Sequence, residues 1–258
     1  MIRKVFTSEG FRPCDIPELF REEGLSYETI DTLNWPEKYP YRPTVEFALA
    51  HTGDALLIHY RVVEQTSRAA AEEDLGRVWE DSCVEFFCSP APSDGLYYNL
   101  ECNCIGRILL ACGPCRHDRT KAPKEALGSI GRWSSLGSKP FAERACGPWE
   151  VCLIVPASSF FAHRLTGFDS VEVRGNFYKC GDDTAVPHFL SWIIISGLAT
   201  RLLADNDGLL NLIYKQMTGN SEAMIPFLSN PSYWRWTYIV LGIWKEAGWG
   251  TIIYLAAL

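Results

Sequence analysis

Apolar and polar positions alternate with a period of two over several short stretches, and turn residues separate those stretches. Residues 44–63 read TVEFALAHTGDALLIHYRVV, two runs rich in Val, Leu and Ile around His51-Thr52-Gly53-Asp54. Gly-Asp supplies turn chemistry, so the segment predicts a hairpin. Residues 80–88 and 148–155 predict further strands, residues 97–112 alternate until they break at Gly106, and residues 170–178 add another. Pro90 to Gly95 provides the turn before residue 97. A helical period shows only around Ile16–Glu23 and Lys121–Leu127. Short strands with few helices predict an all-β fold, an antiparallel β-sandwich.

The same alternation assigns faces. Val84, Phe86 and Cys88 point one way, and Asp81, Cys83 and Glu85 the other. Leu100, Cys102 and Cys104 are expected in the core, with Asn99, Glu101 and Asn103 outward. Val171, Val173 and Phe177 are expected inward, and Glu172, Arg174, Asn176 and Tyr178 outward. Strands sharing one sheet would then join their outer faces into a ladder of Glu, Asn and Arg, with Trp79 at its edge. Sugar hydroxyls need such donors and acceptors, and the apolar face of a pyranose stacks on an aromatic plane. The plainer reading is the solvated face that any sandwich presents.

Composition divides the chain. All ten cysteines lie between Cys14 and Cys180, and the net charge of −7 falls on the part before Ser191. From Ser191 onward the charges balance, and apolar runs appear at Ile193–Ala199 and Tyr238–Leu258. The second run has the length of a membrane span, with Trp234, Trp236 and Tyr238 as an interfacial belt. Lys245 and Glu246 interrupt it, which also suits a buried helix. The acidic balance argues against a nucleic-acid partner, since Arg116, His117, Arg119 and Lys121 form only a short basic group broken by Asp118. The start, MIRKVFTSEGF, has no apolar signal-peptide core, so reduced thiols and a cytoplasmic or inner-membrane-associated location are expected.

Three blocks carry a family resemblance: VWEDSCVEFFCSP (78–90), YYNLECNCIGRILLACG (97–113) and VRGNFYKCGD…PHFLSW (173–192). With LNWPEKYPYRPTVEFALAH (33–51), they resemble family 9 carbohydrate-binding modules of the DOMON-like branch over residues 1–192. The resemblance implies a jelly-roll-like sandwich that binds a mono- or oligosaccharide without cleaving it. Matched position by position, it implies that Trp79 stacks on the sugar and that Glu85, Glu101 and Asn103 hydrogen-bond to it. The outward Arg174 and Asn176 complete the expected carbohydrate-binding set. Glu101 stands where characterised members carry Arg, and the second clamp aromatic should follow Ser191-Trp192, where this chain departs from the family. Some members hold structural calcium; no Asp cluster marks such a site here, and no cofactor is expected.

Residues 190–258, above all GIWKEAGWGTIIYLAAL, resemble a permease subunit of ABC sugar importers. The Leu190-Ser191-Trp192 triplet therefore reads as a junction, with a sandwich over 1–192 and a membrane-type α-helical segment over 193–258.

Three other constellations carry less weight. Cys112-Gly113-Pro114-Cys115 spells a thioredoxin loop but lacks the following amphipathic helix. Cys102, Cys104, Cys112 and Cys115 lack the spacing of a structural zinc site. Glu85 and Glu101 could form a glycosidase pair, yet an exposed pair has no environment to raise one pKa. Binding is therefore preferred to catalysis.

Overall fold

The computed structural model describes residues 2–169, 171–192, 209–220 and 223–226. The chain divides into two compact units, Met1–Ile193 and Ile194–Leu258.

In the first unit the strands are β1 (Arg3–Lys4), β2 (Glu28–Thr29), β3 (Thr32–Leu33), β4 (Thr44–His51), β5 (Ala55–Val63) and β6 (Ser67–Ala69). They continue with β7 (Cys83–Ser89), β8 (Tyr97–Asn103), β9 (Ile108–Cys115), β10 (Asp118–Lys121) and β11 (Gly131–Ser134). The last are β12 (Phe141–Arg144), β13 (Trp149–Pro156), β14 (Arg174–Gly181) and β15 (His188–Ser191). Helices α1 (Ile16–Glu22) and α2 (Lys124–Ser129) lie near the two stretches of helical period.

Among the described residues one large sheet runs β1-β4-β5-β13-β11 with β2 beside β4, the other runs β10-β9-β8-β7-β14-β15-β3, and β12 pairs with β6 apart from both. The hairpin turns as its sequence demands: Gly53 takes a φ of 105°, and Thr52 Oγ1 donates to Asp54 Oδ1 at 2.5 Å. The strand expected over 170–178 is shifted, because residues 171–173 are not extended into the sheet and β14 begins at Arg174.

The core fills the space between the sheets. Phe47 of the first stacks on Phe177 of the second at 3.7 Å between ring centres, and Phe86 stacks on the other side of Phe177 at 4.7 Å. Val84, Phe86, Cys88, Leu100, Cys102 and Cys104 all point into this layer, as the alternation predicts. The outer face of the first sheet is also covered, by Ile16 and Phe20 of α1 against Ala48, Ala50 and Leu57. Burial on both sides explains why β5 reads as a nearly continuous apolar run. The outer face of the second sheet is left for other use.

A buried ion pair joins the sheets. Lys179 Nζ of β14 lies 2.9 Å from Glu64 Oε2, just past β5, and both side chains are fully buried. Glu64 Oε1 accepts from Trp149 Nε1 at 2.8 Å and from Ser67 Oγ at 2.9 Å. Burial alone would raise the Glu64 pKa, but the Lys179 charge, hydrogen bonds from Ser82 and Lys179, and His188 together hold it below the usual range. Burial, and then the Lys179 charge, push His188 down to about 3. The ring is therefore neutral: Nδ1–H donates to Val186 O at 2.9 Å, and Nε2 accepts from Lys179 Nζ at 2.6 Å.

In the second unit, α3 (Leu209–Thr218) is tied at Asn211, whose amide exchanges hydrogen bonds of 2.9 and 2.7 Å with the Ile225 backbone. The spans expected at 193–199 and 238–258 lie outside the described residues. Among the described residues no helix is long and apolar enough to cross a membrane.

A neutral buried His188 gives a signed pH dependence. Its folded pKa is depressed, so the unfolded chain binds more protons between pH 6.5 and 3. Stability is full above 6.5 and declines as the pH falls through that window. His188→Gln keeps an acceptor for Lys179 and should flatten the slope between pH 6.5 and 4.5 by up to about 1.4 kcal/mol per pH unit. Urea melts across that range measure it; an unchanged slope would refute the neutral assignment.

Candidate functional site

The free outer face of the second sheet holds a cleft of about 520 Å³. Its floor is laid out by strand register. One row runs Tyr178, Glu85, Glu101 and Leu109 across β14, β7, β8 and β9. The next runs Asn176, Phe87, Asn99, Ala111 and Lys121, extending onto β10. A third pairs Cys180 with Cys83, and Cys83 with Asn103.

The floor is buried, which corrects the expectation of an exposed carboxylate pair. Glu85 is 9% and Glu101 6% exposed, and they sit directly opposite one another. Burial, and then the neighbouring Glu101, push Glu85 up to about 8. Burial also raises Glu101, against the hydrogen bond from Asn99 and the charge of Arg119. Asn99 Nδ2 donates to Glu101 Oε1 at 2.7 Å, and Cys180 Sγ donates to Glu85 Oε1 at 3.2 Å. Among the described residues Glu101 Oε2 and Asn99 Oδ1 have no hydrogen-bond partner.

The walls come from loops. Arg116, His117, Arg119 and Lys121, the short basic group, line one side from the β9–β10 hairpin. Gly113 permits that hairpin to fold back, since a Cβ there would sit 1.9 Å from Asp118 O. Arg119 hydrogen-bonds Tyr97 Oη and lies 5.5 Å from the Phe87 ring centre. Half-buried Trp79 and Asp182 line the cleft, their loops joined by the Asp182 N–H to Trp79 O at 3.1 Å.

Trp35 also lines it, 65% exposed and with φ at 54°, a left-handed conformation rare for a bulky residue. Lys38 N and Tyr39 N donate to its carbonyl at 3.0 and 2.9 Å, and the Phe189 ring meets it edge-on at 5.7 Å. Such a conformation costs roughly 1–3 kcal/mol, and exposing a large ring adds to that.

Of the expected residues, Trp79, Glu85 and Glu101 line the cleft together. Asn176 lies on the same face beside Phe87 but outside the lining, with Oδ1 accepting from the Phe177 N–H at 2.9 Å. Arg174 lies at the start of β14, opposite Ser89 and 3.7 Å from Glu172, away from the cleft. Asn103 is wholly buried and tied to the fold. Its Nδ2 donates to Asp81 Oδ2 at 2.9 Å, and its Oδ1 accepts from Ile105 N and Arg107 N at 3.3 and 2.8 Å, closing the β8–β9 turn.

Alternation places Asn99 and Tyr178 on this face without marking them as ligand-binding, and the LNWPEK stretch carries no signal that sends Trp35 to the rim. Cys112 and Cys115 close β9 as part of a strand, and burial raises the Cys112 thiol, opposite to what a redox nucleophile needs.

A two-sheet sandwich with an open, aromatic-rimmed polar cleft on one outer face is a ligand-binding module. Residues 15–201 match carbohydrate-binding family 9, and the chain belongs to that family. The family is one of carbohydrate-binding modules. A protein of Bacteroides uniformis ATCC 8492 proposed to bind carbohydrate is 46% identical, with a TM-score of 0.71 over 74% of this chain and 87% of that one. A family 9 module of Caldicellulosiruptor kristjanssonii in complex with glucose is 10% identical, with a TM-score of 0.47 over 77% of this chain and 87% of that one. The polygalacturonan/rhamnogalacturonan transport system permease protein YteP of Bacillus subtilis (strain 168) is 45% identical over 144 residues, 51% of this chain and 43% of that protein. The chain thus spans less than half the length of the curated relatives it matches.

Asn103→Ala should lower stability by about 1–3 kcal/mol, because it strips a buried carboxylate of a donor. Urea melts read that loss, and calorimetry on the folded protein should show sugar affinity unchanged. A selective loss of affinity would return Asn103 to the site.

Proposed function

We propose that the cleft on the second sheet is the carbohydrate site, with Trp35 and Trp79 stacking on sugar rings and Glu85, Asn99 and Glu101 meeting hydroxyls. The carrying observation is the exposed, left-handed Trp35 beside a buried carboxylate and amide floor. A costly exposed aromatic is explained when a ligand covers it. Glu101 Oε2 and Asn99 Oδ1 are unused acceptors that hydroxyl donors satisfy after a small side-chain turn. Tyr178 and Arg119 add a hydroxyl and a cation at the margin. Trp35 takes the part of the second clamp aromatic expected beyond Trp192, so the clamp does not depend on the tail.

Calorimetric titration of the full chain with a panel of mono- and oligosaccharides tests this. Trp35→Ala removes a surface ring without opening the core, and should weaken binding about tenfold or more. Glu101→Gln should weaken it further. Undiminished affinity in both variants would place the sugar elsewhere.

For residues 190–258 we propose descent from a sugar-importer permease, a reading supported by the match to YteP. On this reading the tail associates with membranes. Expressed full chain should then sediment with membranes and resist carbonate extraction; release by carbonate would refute it.

A further inference from the structure

We propose that Cys83, Glu85 and Cys180 form a site for a thiophilic divalent cation of the zinc type, at the end of the cleft nearest Trp79. The thiol sulfurs and a carboxylate oxygen all lie within 4.8 Å of one another, and all three residues are buried. Among the described residues this is the one group of three or more such ligands so placed. Register explains the juxtaposition: Cys180 of β14 stands directly opposite Cys83 of β7, and Glu85 follows two residues on, along the same face. A tetrahedral ion with Zn–S near 2.3 Å and Zn–O near 2.0 Å holds its ligand atoms roughly 3.5–3.8 Å apart. Cys180 Sγ to Glu85 Oε1 is already 3.2 Å, so small χ1 adjustments close the remaining gap.

The donor set selects the metal class. Two sulfurs disfavour calcium and magnesium, which take oxygen ligands, and favour zinc or cadmium. Three protein ligands leave a fourth position. Asp182, which hydrogen-bonds Cys180, and the Trp79 carbonyl, 3.5 Å from Cys180 Sγ, border it. Glu85, Cys180 and Asp182 line the cleft, so the ion has an entry path and its open position faces bound ligand.

Without metal, Cys180 donates its thiol proton to Glu85. A divalent cation displaces both thiol protons to solvent, together with the Glu85 proton where that carboxyl still holds one. Two thiolates and one carboxylate then carry three negative charges against the cation's two. The loaded cluster thus carries a net charge of −1. The proposal shares Glu85 with the sugar site but does not rest on it.

Cadmium titration of the reduced full chain is the test. One equivalent should raise a thiolate-to-cadmium charge-transfer absorption in the ultraviolet, and zinc should compete it away. Cys83→Ala/Cys180→Ala should abolish the band, and Glu85→Gln should weaken affinity by more than about 100-fold, since even outer-shell changes cost ~10–100-fold. Cys115→Ala, which removes an exposed thiol, should leave the band intact. No band in the wild-type chain overturns the site whether or not the variants fold. A band that survives the double substitution, or is lost with Cys115, overturns it too. Sugar titration of the metal-free protein is read separately, so failure of one reading leaves the other standing.

Discussion

The fold turns on one buried charge pair. Lys179 and Glu64 are both withdrawn from water, a step that costs several kcal/mol per ion unless each charge is met by a partner. The partners come from both sheets: Trp149 and Ser67 on the side of Glu64, His188 and the Cys180 carbonyl on the side of Lys179. Glu64 Oε2 meets Lys179 Nζ at 2.9 Å. This polar knot lies in the same layer as the Phe47–Phe177–Phe86 stack. The stack supplies burial; the knot supplies position, because an apolar layer tolerates sliding and a buried cation does not.

The consequence reaches the outer face through strand geometry. Successive residues of β14 point to opposite sides, so an inward Lys179 sets Tyr178 and Cys180 outward. A slip by one residue would turn Tyr178 and Cys180 toward the core and the lysine toward the cleft, and the buried pair forbids it. β7 is registered against β14 and β8 against β7, so Glu85, Phe87, Asn99 and Glu101 inherit their places in turn. Asp81 serves the same end before β7, gathering Arg68, the Ala70 and Ala71 amides and Asn103 around one buried carboxylate. Of the two acids, Asp81 is thus structural, while Glu85 lines the cleft.

How much of this the sequence shows depends on whether a feature is local. The 44–63 hairpin, the inward faces of β7 and β8 and the outward Glu85 and Glu101 follow from period-two alternation and a Gly-Asp turn. The start of β14 is not local: Val171 and Val173 mimic a strand beside Phe177, and nothing nearby marks Arg174 as the first paired residue. Asn103 was assigned to the ligand because outward alternation does not reveal that a tight turn and Asp81 consume its amide. The burial of Glu85 and Glu101 is tertiary: the β9–β10 hairpin and the Trp35 and Trp79 loops raise walls from residues distant in sequence. Trp35 illustrates the limit, since only its placement at the rim separates it from a tryptophan awaiting burial.

The walls and floor give the cleft two chemically distinct ends. Toward β10, Phe87, Asn99, Lys121 and Arg119 offer an apolar plane, an amide and cations, the mixture that suits a ring with hydroxyls. Toward Trp79, Cys83, Cys180, Glu85 and Asp182 gather sulfur and acid, a set that also suits a soft cation. Glu85 stands between, with Glu101 on one side and Cys180 on the other. Its raised pKa is the mark of that position: buried beside a second carboxylate, it keeps its proton unless a positive charge arrives. The two carboxylates can therefore divide their roles, Glu101 held by Asn99 for a hydrogen-bonding ligand and Glu85 responding to whatever charge the cysteine end admits.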